Sequence, residues 1–402
     1  MATETTTPLV ARMRGFGTTI FAEMSALANA TGAVNLGQGF PDFDGPAPML
    51  AAAAQAIRDG VNQYPPGPGT PQLREAVAAH QQRFYGLAYD PATEVVVTAG
   101  ATEAVTAAVL ALCEAGDEVV VLDPLYDSYA AAVALAGAVL RPVALRPGPD
   151  GRFGFDEAEL RAAFTPRTRL LLLNTPHNPT GTVLSRAELG LFAELCLAHD
   201  VVAVTDEVYE HLVLDSVDGL GHVPLATLPG MRERTLQISS AGKTFSCTGW
   251  KIGWACGPEP VVQALMRVKQ YLTYTNGAPF QPAVALALGL DDDYFDSFTT
   301  GMRAKRDRLR VGLGQAGLGV EVSQGTYFVA ADIRPLFGGT LPDGVDGLSF
   351  CRSLPERCGV VAVPMQVFYA TPGEGCHLVR FTFGKRDDVL DEAVDRLAAL
   401  AG

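Results

Sequence analysis

Two lysines lie in one glycine-rich segment, SSAGKTFSCTGWKIGW, of a chain that has only five lysines in all. Lys243 follows an apolar run and has Ser240 and Gly242 close beside it. A lysine that is desolvated among small residues is a good nucleophile toward a carbonyl group. Lys251 follows eight residues later and has the charge to neutralise a phosphate. The alternative, two solvated surface lysines, is disfavoured by the apolar surroundings.

An anion site and a buried acid are indicated at the ends of two other apolar runs. In TAGATEA, residues Gly100, Ala101 and Thr102 stand where a strand passes into a helix, and the free N–H groups of a helix N-terminus bind anions. An ordinary helix start capped by Thr102 is the alternative. In TDEVYEHL, Asp206 follows the run VVAV, and a buried carboxylate needs a partner such as a protonated ring nitrogen. Tyr209 could reach the same ligand; otherwise Asp206 only caps a helix.

Two further polar residues could contact oxygen atoms of a ligand. Asn178 lies in NTPHNPTG, where the stiff turn around Pro179 would hold its amide toward a flat ligand. A plain tight turn is the alternative. Arg380 lies in the alternating pattern HLVRFTF, and an arginine on a half-buried strand suits bidentate binding of a carboxylate. An internal salt bridge is the competing interpretation.

Together these residues supply a nucleophilic lysine, a phosphate site, an acid for a ring nitrogen, donors for a ring oxygen and a carboxylate clamp. Pyridoxal 5'-phosphate requires this set, because the cofactor accepts electrons and the protein has to bind and orient it. The sequence therefore predicts pyridoxal phosphate as the cofactor, Lys243 as the catalytic residue and no metal ion.

Short apolar runs that alternate with helical stretches must position these residues. The runs lie at 94–100, 117–124, 168–176, 201–209, 235–242 and 251–257. Continuous Val/Leu runs are typical of strands buried on both faces of a mostly parallel sheet, and alternation with helices predicts an α/β fold. Ligands bind beyond the carboxyl ends of such strands.

The pattern changes after about residue 290. A long helical stretch at 292–316 precedes two further strand-like runs, at 325–333 and 377–383, which indicates a smaller α+β domain. We therefore predict three parts: an N-terminal segment, 1–45, that packs on the small domain; a large cofactor-binding domain, 46–290; and a small C-terminal domain, 291–402.

Composition excludes several classes of protein. The chain has 402 residues, 48% of them hydrophobic, which excludes a disordered chain. Its net charge of −14 argues against binding to nucleic acid or to an anionic membrane. The seven cysteines form no CxxC or Cys/His cluster, so we expect reduced thiols in a cytoplasmic protein. The N-terminus lacks a signal-peptide pattern, and no apolar run is long enough to span a membrane.

Five motifs in a fixed order carry a resemblance to a known family. They are NLGQGFPDF, NQYPPGPG, NTPHNPTG, DEVYEHL and SAGKTFSCTGWKIGW. The chain, from about residue 15 onward, resembles the fold-type I class I/II aminotransferases that depend on pyridoxal phosphate. Within them it is similar to the kynurenine/methionine aminotransferase branch and to actinobacterial N-succinyldiaminopimelate aminotransferases. The resemblance implies ping-pong transfer of the amino group of an L-amino acid to a 2-oxo acid such as 2-oxoglutarate.

The resemblance also implies how the cofactor is held. Lys243 binds it covalently and moves the proton between substrate and cofactor, and Asp206 pairs with the ring nitrogen. The remaining contacts are to the ring and the phosphate, and they fall to Gly100, Ala101, Thr102, Tyr126, Asn178, Tyr209, Ser240 and Lys251. Tyr64 is expected to reach the phosphate in the neighbouring subunit, so the resemblance implies a homodimer with an active site shared across the interface.

The substrate-binding residues implied by the resemblance leave the substrate open. They are Phe21, Gly39, Asn178, Tyr274 and Arg380. The aromatic members favour large neutral side chains, aromatic or sulfur-containing. Kynurenine itself is disfavoured, because kynurenine-type enzymes often have a histidine where this chain has Thr275.

The sequence leaves three alternatives to this function. N-succinyl-L,L-diaminopimelate, a precursor in lysine biosynthesis, would need a cation beyond Arg380, and Arg12 and Arg14 are candidates. A cysteine-conjugate β-lyase or other elimination enzyme would use the same lysine. An aminotransferase-like sensor domain of a transcription regulator is disfavoured, because the motifs begin by residue 35 and leave no room for a DNA-binding domain.

Overall fold

The computed structural model describes residues 9–17 and 19–401. Its α-helices are α1 Ile20–Thr31, α2 Ala47–Arg58, α3 Pro71–Tyr85, α4 Ala101–Leu112, α5 Asp127–Ala136, α6 Glu157–Ala163, α7 Arg186–Ala198, α8 Ala241–Thr244, α9 Glu259–Leu272, α10 Gln281–Leu288, α11 Asp292–Gln315, α12 Gly347–Cys358 and α13 Asp387–Leu397. Its strands are β1 Val34–Asn35, β2 Val95–Thr98, β3 Glu118–Asp123, β4 Val139–Ala144, β5 Arg146–Pro147, β6 Phe153–Gly154, β7 Thr168–Asn174, β8 Val202–Asp206, β9 Thr235–Ser240, β10 Gly253–Cys256, β11 Gly319–Val320, β12 Phe328–Asp332, β13 Val360–Val361, β14 Val363–Pro364 and β15 Leu378–Thr382.

A seven-stranded sheet with the order β2-β10-β9-β8-β7-β3-β4 forms the centre of the chain. The five strands from β9 to β4 are parallel, and β10 runs antiparallel to both of its neighbours. All six predicted runs between residues 94 and 257 contain one of these strands. The prediction of an α/β fold with a mostly parallel sheet is confirmed.

Apart from the edge strand β4, the strands of this sheet are buried on both faces, as their apolar runs predict. In β3, Val120 faces a core cluster that contains Leu171 of β7, whereas Val119 faces a second cluster that contains Leu170. Successive side chains point to opposite faces of a strand, so a continuous apolar run needs a core on each side. The two clusters are completed by helices on opposite faces of the sheet, among them α7 on one side and α4 on the other.

A second, four-stranded sheet follows late in the chain, with the order β11-β12-β15-β14 and antiparallel pairing. The N-terminal region joins this part of the molecule, because β1 pairs in parallel with β13 through Val34 and Val360. The core there combines Met24 of α1 with Leu309 of α11. The division of the chain at residues 45 and 290 stays a prediction.

The longest helix, α11, spans 24 residues and has charged side chains along its length, including Asp292 and Arg303. Neither α11 nor any other helix in the described ranges, 9–17 and 19–401, combines the length and apolar character needed to cross a membrane.

Candidate active site

A cavity of about 280 Å³ lies at the carboxyl ends of the parallel strands. Polar residues reach it from the segments that follow β2, β7, β8 and β9, and others come from α1, β15 and the loop after β1. The predicted site residues that line it are Phe21, Gly39, Gly100, Ala101, Thr102, Tyr126, Asn178, Asp206, Tyr209, Ser240, Lys243, Lys251 and Arg380. The fold thus brings together residues that are more than 300 positions apart in the sequence.

Lys243 lies in α8, a single helical turn directly after β9. Ser240 caps this turn: its hydroxyl accepts a hydrogen bond from the Gly242 N–H at 3.2 Å and donates to the Ile252 carbonyl at 3.2 Å. The half-buried Lys243 side chain enters the cavity, and its Nζ donates to the hydroxyl of Tyr327 at 2.7 Å. The turn therefore presents one amine to the cavity.

Asp206, the last residue of β8, is a buried carboxylate whose hydrogen-bond donors are neutral. The Tyr129 hydroxyl donates to its Oδ2 at 2.6 Å, and the backbone N–H of Val208 donates to Oδ1 at 3.4 Å. Burial raises the pKa of this carboxyl above its usual value, and these donors and the charge of Lys243 work against the rise. A cationic ring nitrogen would compensate the burial better than neutral donors do, so Asp206 fits a pyridinium.

The N-terminus of α4 forms the cationic end of the cavity. Gly100 has φ 77°, in the region that favours glycine, and a Cβ added there would lie 3.1 Å from the Nζ of Lys251. This close approach places the Lys251 amine beside the free N–H groups of Ala101 and Thr102. Burial lowers the pKa of Lys251. An ammonium and helix N–H groups at one point fit a phosphate.

Arg380 of β15 also lines the cavity and is only 1% exposed. Its Nη1 donates to Asn178 Oδ1 at 2.9 Å and its Nη2 donates to the Gly37 carbonyl at 3.1 Å, while Nε is buried with no hydrogen-bond partner in the described part of the chain. Burial lowers the pKa of Arg380 to about 10, so it remains charged at neutral pH. A buried cation whose partners are neutral fits a bound carboxylate.

Aromatic rings surround the Arg380 guanidinium. Its Cζ lies 3.9 Å from the ring centre of Phe328, 5.0 Å from that of Phe368 and 5.3 Å from that of Phe21. Phe21 and Phe368 also pack against each other, with ring centres 5.8 Å apart. One side of the Arg380 guanidinium is therefore lined by apolar rings.

Two predicted residues, Tyr64 and Tyr274, do not line the cavity of this chain. They pack edge to face with ring centres 5.5 Å apart, and they are 82% and 53% exposed. Lys269 holds the backbone of this region by donating from its buried Nζ to the Tyr274 carbonyl at 2.9 Å. Both tyrosines are thus presented on the surface, where a second chain could receive them.

Sequence reasoning missed several aromatic residues of the site, among them Tyr129, Tyr327 and Phe328. Tyr129 contacts Asp206, Tyr327 contacts Lys243, and Phe328 stacks on Arg380. Tyr129 lies in LYDSY, three residues after the predicted Tyr126, so helical spacing could have indicated it. The strand-like run GTYFVAADI was recognised, but no feature of the sequence relates Tyr327 to a lysine 84 residues earlier.

A lysine, a buried acid, a helix N-terminus beside a second lysine and a buried arginine meet at the carboxyl edge of a mostly parallel sheet, and this arrangement fits a pyridoxal-phosphate-dependent transaminase. A model of the family "Aminotransferase class I and II" matches residues 31–397. The chain belongs to the class I and II aminotransferase family, and it is an enzyme that depends on pyridoxal phosphate. The resemblance, the enzyme class and the cofactor predicted from the sequence are confirmed.

Several relatives match over nearly the whole chain. A protein of Mycobacterium tuberculosis named a probable N-succinyldiaminopimelate aminotransferase is 56% identical over 98% of each chain. A solved structure of N-succinyldiaminopimelate aminotransferase from that organism superimposes with a TM-score of 0.93 at 56% identity, covering 98% of this chain and all of the other. The methionine aminotransferase of Escherichia coli is 39% identical over 98% of this chain and all of its own.

Proposed function

We propose that this aminotransferase transfers the amino group of an L-amino acid with a large neutral side chain, aromatic or sulfur-containing, to a 2-oxo acid such as 2-oxoglutarate. The observation that carries this substrate class is the aromatic wall beside Arg380, formed by Phe21, Phe328 and Phe368. A neutral side chain gains about 25 cal/mol for each Å² of apolar surface that it buries against such a wall. A ping-pong order is expected, because donor and acceptor would use the same cavity in turn.

When bound, pyridoxal phosphate supplies an electron sink that stabilises negative charge at the substrate Cα. Gly100, Ala101, Thr102, Ser240 and Lys251 would hold its phosphate. A phosphate accepts hydrogen bonds from backbone N–H groups, a hydroxyl and an ammonium together, and these residues offer all three kinds of donor.

The ring of the cofactor would be bound by residues from three other segments. Asp206 would pair with the ring nitrogen, because its burial is best compensated by a cation. Asn178 and Tyr209 would donate to the ring oxygen, and Tyr126 would cover the ring face. Tyr126 packs edge to face on Tyr129 at 5.8 Å, which fixes its own ring.

Substrate orientation depends on Arg380 and Lys243. Arg380 would bind the α-carboxylate with Asn178 and the Gly39 backbone assisting, so that Cα would face the amine of Lys243, which also lines the cavity. Lys243 would bind the cofactor in the resting enzyme. Once released, its amine would take the proton from the substrate Cα and pass it to the cofactor within the same half-reaction, and it would move a proton in the opposite direction in the second half-reaction.

A second candidate donor is N-succinyl-L,L-diaminopimelate, which the name of the 56% identical relative favours. Its distal carboxylates need a cation besides Arg380. A second cavity, lined in part by Phe368, contains Arg352, which forms a 2.7 Å ion pair with Glu23. Arg14 is one of the two arginines that the sequence suggests as this second cation. It lies on the surface and donates from Nε to the Leu9 carbonyl at 3.3 Å.

An absorbance titration of the holoenzyme distinguishes these donors. Single L-amino acids and N-succinyl-diaminopimelate are added separately, and bleaching of the visible cofactor band is followed. Bleaching by methionine, phenylalanine or leucine, reversed by 2-oxoglutarate, is the expected result. Bleaching by N-succinyl-diaminopimelate alone would replace the proposal by the second candidate. Pyruvate and ammonia released without an acceptor would indicate elimination instead.

We also propose that the active unit is a homodimer in which Tyr64 of one chain completes the phosphate site of the other. The exposure of Tyr64 and of its packing partner Tyr274 supports this arrangement. Mixing inactive Tyr64→Ala and Lys243→Ala chains should restore about one quarter of the wild-type activity, since half of the dimers are then hybrids with one intact site of two. No recovery after proven subunit exchange would reject a shared site.

A cytoplasmic location is part of the proposal. All seven cysteines of the chain are free thiols, as expected of a protein in a reducing compartment. Fractionation of cells that express the protein tests this, and recovery outside the cytoplasmic fraction would contradict it.

A further inference from the structure

We propose that Tyr327 is a positioning residue for Lys243 and sets the direction of its amine. The Lys243 Nζ lies 2.7 Å from the Tyr327 hydroxyl, and that hydroxyl lies 2.5 Å from the carbonyl oxygen of Gly39. The inference rests on the proposed role of Lys243 as the lysine that binds the cofactor and moves the substrate proton. Tyr327 is not among the site residues predicted from the sequence.

Counting hydrogen atoms fixes the direction of both bonds. A tyrosine hydroxyl has one hydrogen, and a carbonyl oxygen can only accept, so the hydrogen of Tyr327 is donated to Gly39. Toward Lys243 the hydroxyl can then act only as an acceptor. An N–H of the lysine must therefore point at Tyr327, and the lone pair of the neutral amine is directed away from it.

The hydroxyl of Tyr327 is held in a fixed place. The residue is fully buried directly before β12, and its carbonyl accepts hydrogen bonds from the Phe383 N–H at 3.0 Å and the Thr382 hydroxyl at 3.1 Å. Its ring packs edge to face on Tyr209, with centres 5.3 Å apart. A side chain with few rotatable bonds, fixed at its backbone and ring, is a precise anchor for a flexible lysine.

Gly39 connects this anchor to the substrate-binding segment. A Cβ at Gly39 would lie 2.7 Å from Cζ of Phe328. Because a side chain at this position would clash with Phe328, only glycine lets the backbone approach the Tyr327 hydroxyl this closely. Phe328 in turn stacks on Arg380. The segment after β1, the strand β12 and the turn α8 thus meet at one hydroxyl, which ties the orientation of the lysine to the carboxylate clamp.

The test uses Tyr327→Phe, which removes the hydroxyl and keeps the ring. The matched control is Tyr369→Phe, because the Tyr369 hydroxyl also donates to a backbone carbonyl, that of Leu145 at 3.1 Å, but away from the cavity lining. The first measurement is the rate at which apo-protein binds pyridoxal phosphate covalently at Lys243, trapped by reduction and located by peptide mass. We expect a fall of about tenfold for Tyr327→Phe only.

The second measurement is the first half-reaction of the holoenzyme with a donor that carries hydrogen or deuterium at Cα. A misdirected amine makes proton transfer slower, so we expect about a 10- to 100-fold lower rate and a larger isotope effect in Tyr327→Phe. Partial unfolding would lower the active fraction and leave the isotope effect unchanged. The isotope effect therefore separates positioning from a merely structural role.

The outcomes distinguish this inference from the proposed function. Equal attachment rates and equal isotope effects in Tyr327→Phe and Tyr369→Phe would overturn the role of Tyr327 and leave that of Lys243 intact. Failure of the wild-type apo-protein to attach the cofactor at Lys243 would overturn both.

Discussion

Replacing Arg380 by methionine should abolish efficient use of amino acids while leaving the protein folded. In the structure the guanidinium is buried among aromatic rings, and its bonded partners, Asn178 and Gly37, are neutral. If Arg380 binds the α-carboxylate as proposed, the enzyme loses a desolvated, bidentate charge pair. Loss of such a pair costs about 3 kcal/mol, so kcat/KM should fall by about 100-fold.

The stability of the variant follows from the same contacts. Burial lowers the pKa of Arg380 from 12.5 to about 10, which corresponds to about 3 kcal/mol against the charged form in the folded protein. Methionine removes this cost, but it leaves the Asn178 Oδ1 and the Gly37 carbonyl each without one donor, at about 1 kcal/mol apiece. The free energy of unfolding should therefore change by no more than about 1 kcal/mol.

The assay compares two donors that differ only in the carboxylate, L-phenylalanine and 2-phenylethylamine. The variant should lose activity toward the amino acid and keep the low activity of the wild type toward the amine. Arg308→Met is a suitable control, because Arg308 is a partly exposed cation on α11 that pairs with Asp387 and Asp391 outside the cavity. An equal loss for both donors, loss of covalent cofactor attachment, or destabilisation by several kcal/mol would refute the assignment and make Arg380 structural.

Two further predictions follow from the site and its surroundings. Lys243→Ala should lose covalent attachment of pyridoxal phosphate and nearly all transamination, as measured by borohydride trapping and a coupled glutamate assay; full retained activity would reject the proposed chemistry. Glu210→Gln should alter the pH dependence of stability, because burial raises the pKa of Glu210 to about 7. The protonated carboxyl group stabilises the fold fully below about pH 4.5, and this stabilisation is lost as the pH rises through 7. Urea unfolding from pH 5 to 8 should show the wild type losing up to about 3 kcal/mol relative to the glutamine variant, and parallel curves would contradict the burial argument.

Much of the central sheet was predictable from local patterns. Six apolar runs gave six strands, because a strand buried on both faces needs continuous apolar residues. The strand β4 was missed. It has Pro142 in its middle and mostly half-buried or exposed residues, which the sheet tolerates because β4 is its edge strand and needs fewer backbone donors.

The sequence by itself determined which residues of the parallel strands lie at the candidate site. Asn178, Asp206 and Lys243 each lie at or just after the carboxyl end of a buried strand, and parallel strands bring these ends to one edge whatever the details of the packing. The motif resemblance then supplied their expected roles and the enzyme class.

Only the tertiary structure decided the contacts between distant segments. Tyr327 meets Gly39 across 288 residues of sequence, and Arg380 meets Asn178 across 202, through a small sheet packed on a large one. Sequence periodicity reports which face of an element is buried, and it carries no information on which buried side chain of another element lies opposite. Contacts between distant segments decide the hydrogen-bond partner of Lys243, the aromatic rings around Arg380 and the exposure of Tyr64.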